Sequence, residues 1–235
     1  MKTLIAIAAL SSLVILSGCE TVSTRHRPQS YSSIQPAVDE GADLFKKGEH
    51  LSDEDIERIL NYRIKLPEKS RVAILKISND NYWRHYSNDL NQLNKVLNKN
   101  LVGALRQSDQ IYDASFLPSM LIPNKRTIPY LRGAAARYQA DLLLVYRSSC
   151  SSFQKNRILA GDEIRAYCDV EAALLDIRKG IVPFTSVSTQ SIEAIEKSKD
   201  KNAFETQKKA ELDAIAKSLG EIADDLVEFL SKRPT

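Results

Sequence analysis

Few side chains in this sequence are placed to do chemistry. The three histidines are His26, His50 and His85, and none has a partner at the spacing that lets a helix present two ligands to one metal. There is no glycine-rich phosphate loop and no nucleophile elbow. The serines around Cys150 have no assignable acid or base beside them. Asp141 and Asp176 flank apolar runs and are expected to end strands. Asp224 and Asp225 are adjacent on a helical pattern, point apart, and suit a solvated face. No cofactor and no metal is therefore expected. The best polar constellation lies between Ser78 and Ser87. It holds Asp80, Asn81, Tyr82, the single tryptophan Trp83, and His85. This loop follows an apolar strand pattern, and open α/β sheets place ligands beyond the carboxyl ends of strands. These five residues are the candidate contact surface. The alternative is that Trp83 closes the core and the rest are solvated.

The remaining reactive groups are the three cysteines, Cys19, Cys150 and Cys168. Cys19 closes a segment with a basic start at Lys2 and an apolar core from Leu4 to Leu16. That core is too short to span a bilayer, which needs ~20 apolar residues, but it suits a secretory signal. The closing Leu16-Ser17-Gly18-Cys19 resembles the lipobox of bacterial lipoproteins. The resemblance implies cleavage before Cys19, lipidation of its thiol, and stable membrane attachment through several acyl chains. Glu20 stands where an Asp would favour retention at the inner membrane, so the resemblance implies the outer membrane, with the periplasmic face favoured. Cys150 and Cys168 are an even pair in an exported chain, which points to a disulfide, the alternative being two separate thiols.

The expected organisation is a leader over residues 1–18, a tether over 19–45 and one globular domain over 46–235. The tether is rich in Ser, Thr, Gln, Pro and Arg and has little to bury. As a coil of ~20 residues it would span ~25 Å. Its Arg25, His26 and Arg27 could touch anionic lipid, although a solvated linker explains them as well. Of the 33 basic residues one, Lys2, belongs to the leader, against 30 acidic ones. The remainder is close to neutral, which is no footprint for nucleic acid.

Positioning falls to an alternation of helices and strands. Ser52 and the acids after it open a helix carrying Ile56, Ile59, Leu60 and Ile64. Arg71–Ile77 is a buried strand. Asn88–Gln107 is an amphipathic helix with Leu90, Leu93, Leu97, Leu101 and Leu105 on one stripe. A weak strand spans Ile111–Phe116, and Thr127 can cap a helix reaching Tyr138. Ala140–Tyr146 is a central strand. The polar stretch Ser148–Ser152 then leads away to a turn at Ala160–Asp162. From Ile164 the pattern alternates, with Ile164, Ala166, Cys168, Val170 and Ala172 inward. Arg178-Lys179-Gly180 turns it into a strand over Ile181–Ile195. The last helix, Ala203–Lys232, carries Leu212, Ile215, Leu219, Ile222, Leu226 and Phe229 in steps of three and four. It is expected to pack on the sheet, with a dimer seam as the alternative. The predicted fold is α/β (α+β): a single mixed sheet with a β-hairpin, packed by helices, with a long C-terminal helix.

The strand Arg71–Ile77, the helix–strand pair Thr127–Tyr146 and the hairpin Val170–Phe184 resemble envelope lipoproteins of the curli-secretion, TolB N-terminal and penicillin-binding-protein-activator type. The Leu66-Pro67 step and Leu175-Asp176-Ile177-Arg178 are also similar to rhombotarget lipoproteins. The chain departs from that group in lacking a glycine-rich, hydrophobic C-terminal tail, and from curli channels in lacking pore hairpins. The resemblance implies a membrane-anchored, non-enzymatic binding, scaffold or assembly factor with an envelope protein as partner. Two alternatives follow from the residues. One is a cell-wall-directed enzyme using the 78–87 loop, and the other a homo-oligomer joined through the last helix.

Overall fold

A computed structural model describes residues 22–23, 44, 50–62, 65–77, 87–155, 157 and 161–232. Cys19 and the five residues Asp80, Asn81, Tyr82, Trp83 and His85 lie outside them. Helix α1 (Asp53–Asn61) is followed by β2 (Ser70–Lys76), α2 (Asn88–Arg106), β3 (Ile111–Phe116), α3 (Ile128–Arg137), β4 (Leu142–Lys155), β5 (Glu163–Asp176), β6 (Phe184–Ile195) and α4 (Ala203–Ser231). A two-residue strand β1 (Val22–Ser23) precedes them all. The strand order is β3-β2-β4-β5-β6. β2 runs parallel to both its neighbours, whereas β4, β5 and β6 form an antiparallel meander. This is the mixed sheet with a long last helix that the sequence predicts.

The two sheet faces follow from the period of two along each strand. On one face Val72, Ile74, Leu142, Leu144, Val170 and Leu174 meet α2 and α4. On the other, Ala73, Leu75, Leu143, Val145 and Leu175 meet Leu131 and Ala135 of α3. The first half of β4 is buried on both sides, which explains its near-continuous apolar run. α3 covers the parallel half and the end of β5 at Leu175. Over the rest of the antiparallel half the outer face is open and carries cross-strand pairs, among them Arg147 with Glu171, Asp169 with Thr189, and Arg165 with Glu193.

Several expectations need correction. The stretch Ser148–Ser152 does not leave the sheet. β4 continues to Lys155, with Ser152 turned inward and hydrogen-bonded to Glu211 of α4 at 2.9 Å. Serines carry no strand signature, but a covering helix supplies the partner that lets them stay. Thr127 stands at the start of α3 without a capping bond, and its hydroxyl is buried without a partner. The α4 stripe is spent within the chain: Leu212, Ile215, Leu219, Ile222 and Leu226 are buried against the sheet and α2. A dimer seam along that stripe has no apolar surface left to use. Val22 and Ser23, inside the stretch expected as tether, pair with Lys155 and Gln154. The carbonyl of Leu44 accepts a bond from the Ile128 amide at 2.9 Å.

Other local features match their sequence signals. Cys150 and Cys168 face each other across β4 and β5 and are joined as a disulfide. Gly180 takes φ +75° in the hairpin turn, where Asp176 accepts from the amides of Arg178 and Lys179. Among the described residues the apolar side of α1 has no partner: Ile56, Ile59 and Leu60 are exposed, Leu60 at 74%. Burial therefore predicts a sharp contrast. Leu144→Ala should cost about 3 kcal/mol in denaturant unfolding, whereas Leu60→Ala should stay within ~0.5 kcal/mol of the parent.

Candidate functional site

A groove of about 750 Å³ opens where the N-terminal turns of α2 and α4 meet the end of β6. The topology makes this meeting. β2 and β6 run in the same direction, and each feeds a helix that returns antiparallel over the same face. Both helix N-termini thus come together at the carboxyl ends of these two strands. Leu93, Val96, Ile192 and Ile195 give the groove apolar lining, and Asp89, Lys197, Lys199 and Asp213 fringe it.

Under the groove the two helix starts are tied by one polar network. Ser87 caps α2, accepting from the Leu90 amide, and its hydroxyl donates to Glu205 of α4 at 3.0 Å. Asn202 caps α4 by accepting from the Glu205 amide. Glu205 is only 2% exposed and also accepts from the Lys201 amide. Lys209 completes the network. Its ammonium lies 2.7 Å from Asp200, 3.0 Å from Glu205 and 3.2 Å from Asp89. Asp200 further accepts from Thr206 and from the Lys197 amide.

Two helix N-termini side by side concentrate positive partial charge, which carboxylates in the first turns offset. Asp89 and Glu205 sit there, and Lys209 balances the acids in turn. Burial opposes ionisation of Glu205, but bonds from the Lys201 amide, Lys209 and Ser87 outweigh it and hold the carboxyl below its ordinary value. Asp200 is held low in the same way, by Lys209, Thr206 and the Lys197 amide against burial. Burial also opposes the charge of Lys209, yet its three acidic neighbours keep it protonated well above the usual lysine range. Asp200, Glu205 and Lys209 are therefore charged and engaged, the condition of a rigid foundation rather than of a free base or nucleophile.

The chain enters this groove from the 78–87 segment: Ser87, its last residue, is the α2 cap. The rest of the expected contact surface, Asp80 to His85, lies outside the described residues. Among those described, no group of three His, Cys, Asp or Glu side chains could hold a metal. Asp89, Asp200, Glu205 and Lys209 escape a sequence reading because each looks like an ordinary solvated charge. The legible trace was Asn202-x-x-Glu205, a capping pattern that marks the start of α4.

No family model and no curated protein matches the chain. Among solved structures, a protein classed as a lipoprotein from Caulobacter crescentus is similar with a TM-score of 0.40 and 13% identity, over 70% of this chain and 93% of that one. A PelC dodecamer from Paraburkholderia phytofirmans gives a TM-score of 0.36 at 12% identity, over 72% and 92% of the two chains. Lipoprotein GNA1162 from Neisseria meningitidis gives 0.29 at 9% identity, over 70% and 99%. These are loose likenesses to bacterial lipoproteins at low identity.

Removing the central cation tests the network. Lys209→Met should cost roughly 3 kcal/mol at neutral pH, because two buried carboxylates lose their counter-ion. Both acids are depressed in the folded parent. The stability they lend is complete above the unfolded carboxylate range near pH ~4 and is lost as the pH falls through their folded values. The gap between parent and variant, followed by urea unfolding from pH 7 downward, should therefore narrow on acidification.

Proposed function

We propose that this chain is a lipid-anchored protein of the outer membrane, facing the periplasm, that acts as a non-enzymatic binding or scaffold factor for another envelope protein. The anchor is Cys19, with residues 1–18 as its leader, residues 19–45 as the link and 46–235 as the domain. The observation that carries the binding role is the groove itself. It pairs exposed apolar side chains, Val96 and Ile195 foremost, with a charged fringe over a network whose own charges are already engaged. An apolar centre with a polar rim on a rigid base is the anatomy of a protein interface.

The pairing of Val22 with Lys155 bears on how the domain is held. Only three residue steps separate Cys19 from Val22, a reach of at most ~11 Å. The part of the link before this pairing then sets a short standoff at the far end of β4 rather than a long leash. A partner in the same membrane would meet the groove at raised effective concentration.

Two measurements test this reading. Cys19→Ser should move the protein from the membrane fraction to the soluble one. A photo-crosslinker placed at Val96 of the acylated full chain, activated in its native membrane, should capture a distinct envelope protein. Continued membrane attachment of the serine variant would remove the anchor, and a crosslinker that yields no adduct would remove the groove's role.

A further inference from the structure

Among the described residues, strand β6 is an edge. It pairs with β5 through an unbroken register from Phe184–Leu174 to Ile195–Glu163, and it ends the strand order. In an antiparallel ladder the N–H and C=O of one residue point the same way and alternate along the strand. Glu196, just after β6, donates its amide to the carbonyl of Asp162, just before β5, so the even-numbered residues of β6 face β5. The odd-numbered ones, Thr185, Val187, Thr189, Ser191, Glu193 and Ile195, turn their N–H and C=O groups outward.

Edges of this length are usually blunted by Lys, Pro or a bulge. β6 contains no lysine, proline or glycine, and its register has no bulge. Its residues are mostly Thr, Ser, Val and Ile, and Glu193 is its one charge. That charge is engaged by Arg165. Val187 stands on the open outer face at 68% exposure.

The other face of the edge is bordered by acids. Ser186 donates to Asp225 at 2.7 Å, and Ser188 and Gln190 donate to Glu221 at 2.5 and 2.6 Å. Asp224 and Glu228 are exposed on the same helix, Glu228 with Lys232 as its partner. Bonds from Ser188 and Gln190 hold Glu221 below its ordinary value.

We infer that the outer edge of β6 is a docking site for an extended, basic polypeptide segment that joins the sheet as a further strand. Its backbone would complete the outward N–H and C=O groups. Alternate side chains would fall on the two faces. Those on the α4 side meet Glu221, Asp224 and Asp225 and so are Lys or Arg. Those on the outer side meet Val187 and so are small or apolar. A second copy of this chain fits less well, since two-fold pairing of β6 with itself would bring one acidic helix rim against the other. The edge meets the groove at the helix N-termini only through its last residues, Ile192 to Ile195, whereas Val187, Glu221, Asp224 and Asp225 lie outside the groove's lining, so variants at those positions test the edge without the groove.

The test uses the acylated full chain in detergent and a blocked peptide of alternating valine and lysine, as long as β6. Binding by fluorescence anisotropy should exceed that of the valine–glutamate counterpart by at least about tenfold. It should slow hydrogen exchange at the outward amides of Val187, Thr189, Ser191 and Glu193. Val187→Pro removes one outward N–H without touching the β5 ladder and should abolish binding. Should that variant unfold, the combined Asp224→Asn, Asp225→Asn and Glu228→Gln protein decides the matter: it should lose about tenfold in affinity for the lysine peptide. Equal binding of both peptides would overturn the inference, as would undiminished binding by a folded Val187→Pro protein. Unchanged affinity in the charge variant would do the same. A dimer by sedimentation that protects these same amides without peptide would assign the edge to a second copy instead.

Discussion

Strand β4 joins two different kinds of sheet, and the rest of the molecule depends on that junction. Its first residues, Leu142 to Tyr146, pair in parallel with β2 on one side and antiparallel with β5 on the other. Parallel pairing requires crossover helices, and these bring α2 and α3 to opposite faces. Antiparallel pairing needs only turns, so the second half of the sheet receives a single helix, α4, on one face. The uneven cover, two layers over one end and one over the other, follows from the change of strand direction at β4. Among the described residues it leaves most of the outer face of β5 and β6 uncovered, and charged cross-strand pairs take the place of a core there.

The same geometry creates the groove. α2 and α4 both return over one face from strands that run the same way, so their N-termini must meet. Two positive helix ends cannot lie side by side without acids, and acids cannot be buried without a cation and donors. Ser87, Asp89, Asp200, Glu205 and Lys209 are the set that satisfies both demands. Their charge is the consequence of topology, and the surface above them inherits a fixed shape.

The fold was legible wherever side-chain pattern and burial coincide. Arg71–Ile77 and Ala140–Tyr146 showed as apolar runs, and Ile164 to Ala172 as alternation. Arg178-Lys179-Gly180 showed as a turn. Ser148–Ser152 was not legible, because what keeps serines in a strand is Glu211, fifty-nine positions beyond Ser152. The groove was not legible for a related reason. Asp89 and Lys209 lie 120 positions apart, and nothing in the local sequence of either distinguishes it from a solvated charge. Only the cap at Asn202 left a mark. The contact surface expected from Asp80 to His85 and the anchor at Cys19 rest on sequence alone.

The disulfide has a further consequence for how the molecule comes apart. Cys150 lies beyond Tyr146, the last β4 residue that pairs with β2. The crosslink therefore belongs wholly to the antiparallel half. It closes a loop of 18 positions, for which the chain-entropy account gives about 3 kcal/mol. That gain is withheld from β2 and β3, whose contacts with the rest are long-range and unstapled. Partial opening, on the view that proteins loosen in cooperative units, has an unequal pair of candidates here. The β4–β5–β6–α4 unit is fastened, and the β3–β2 margin is the piece free to detach.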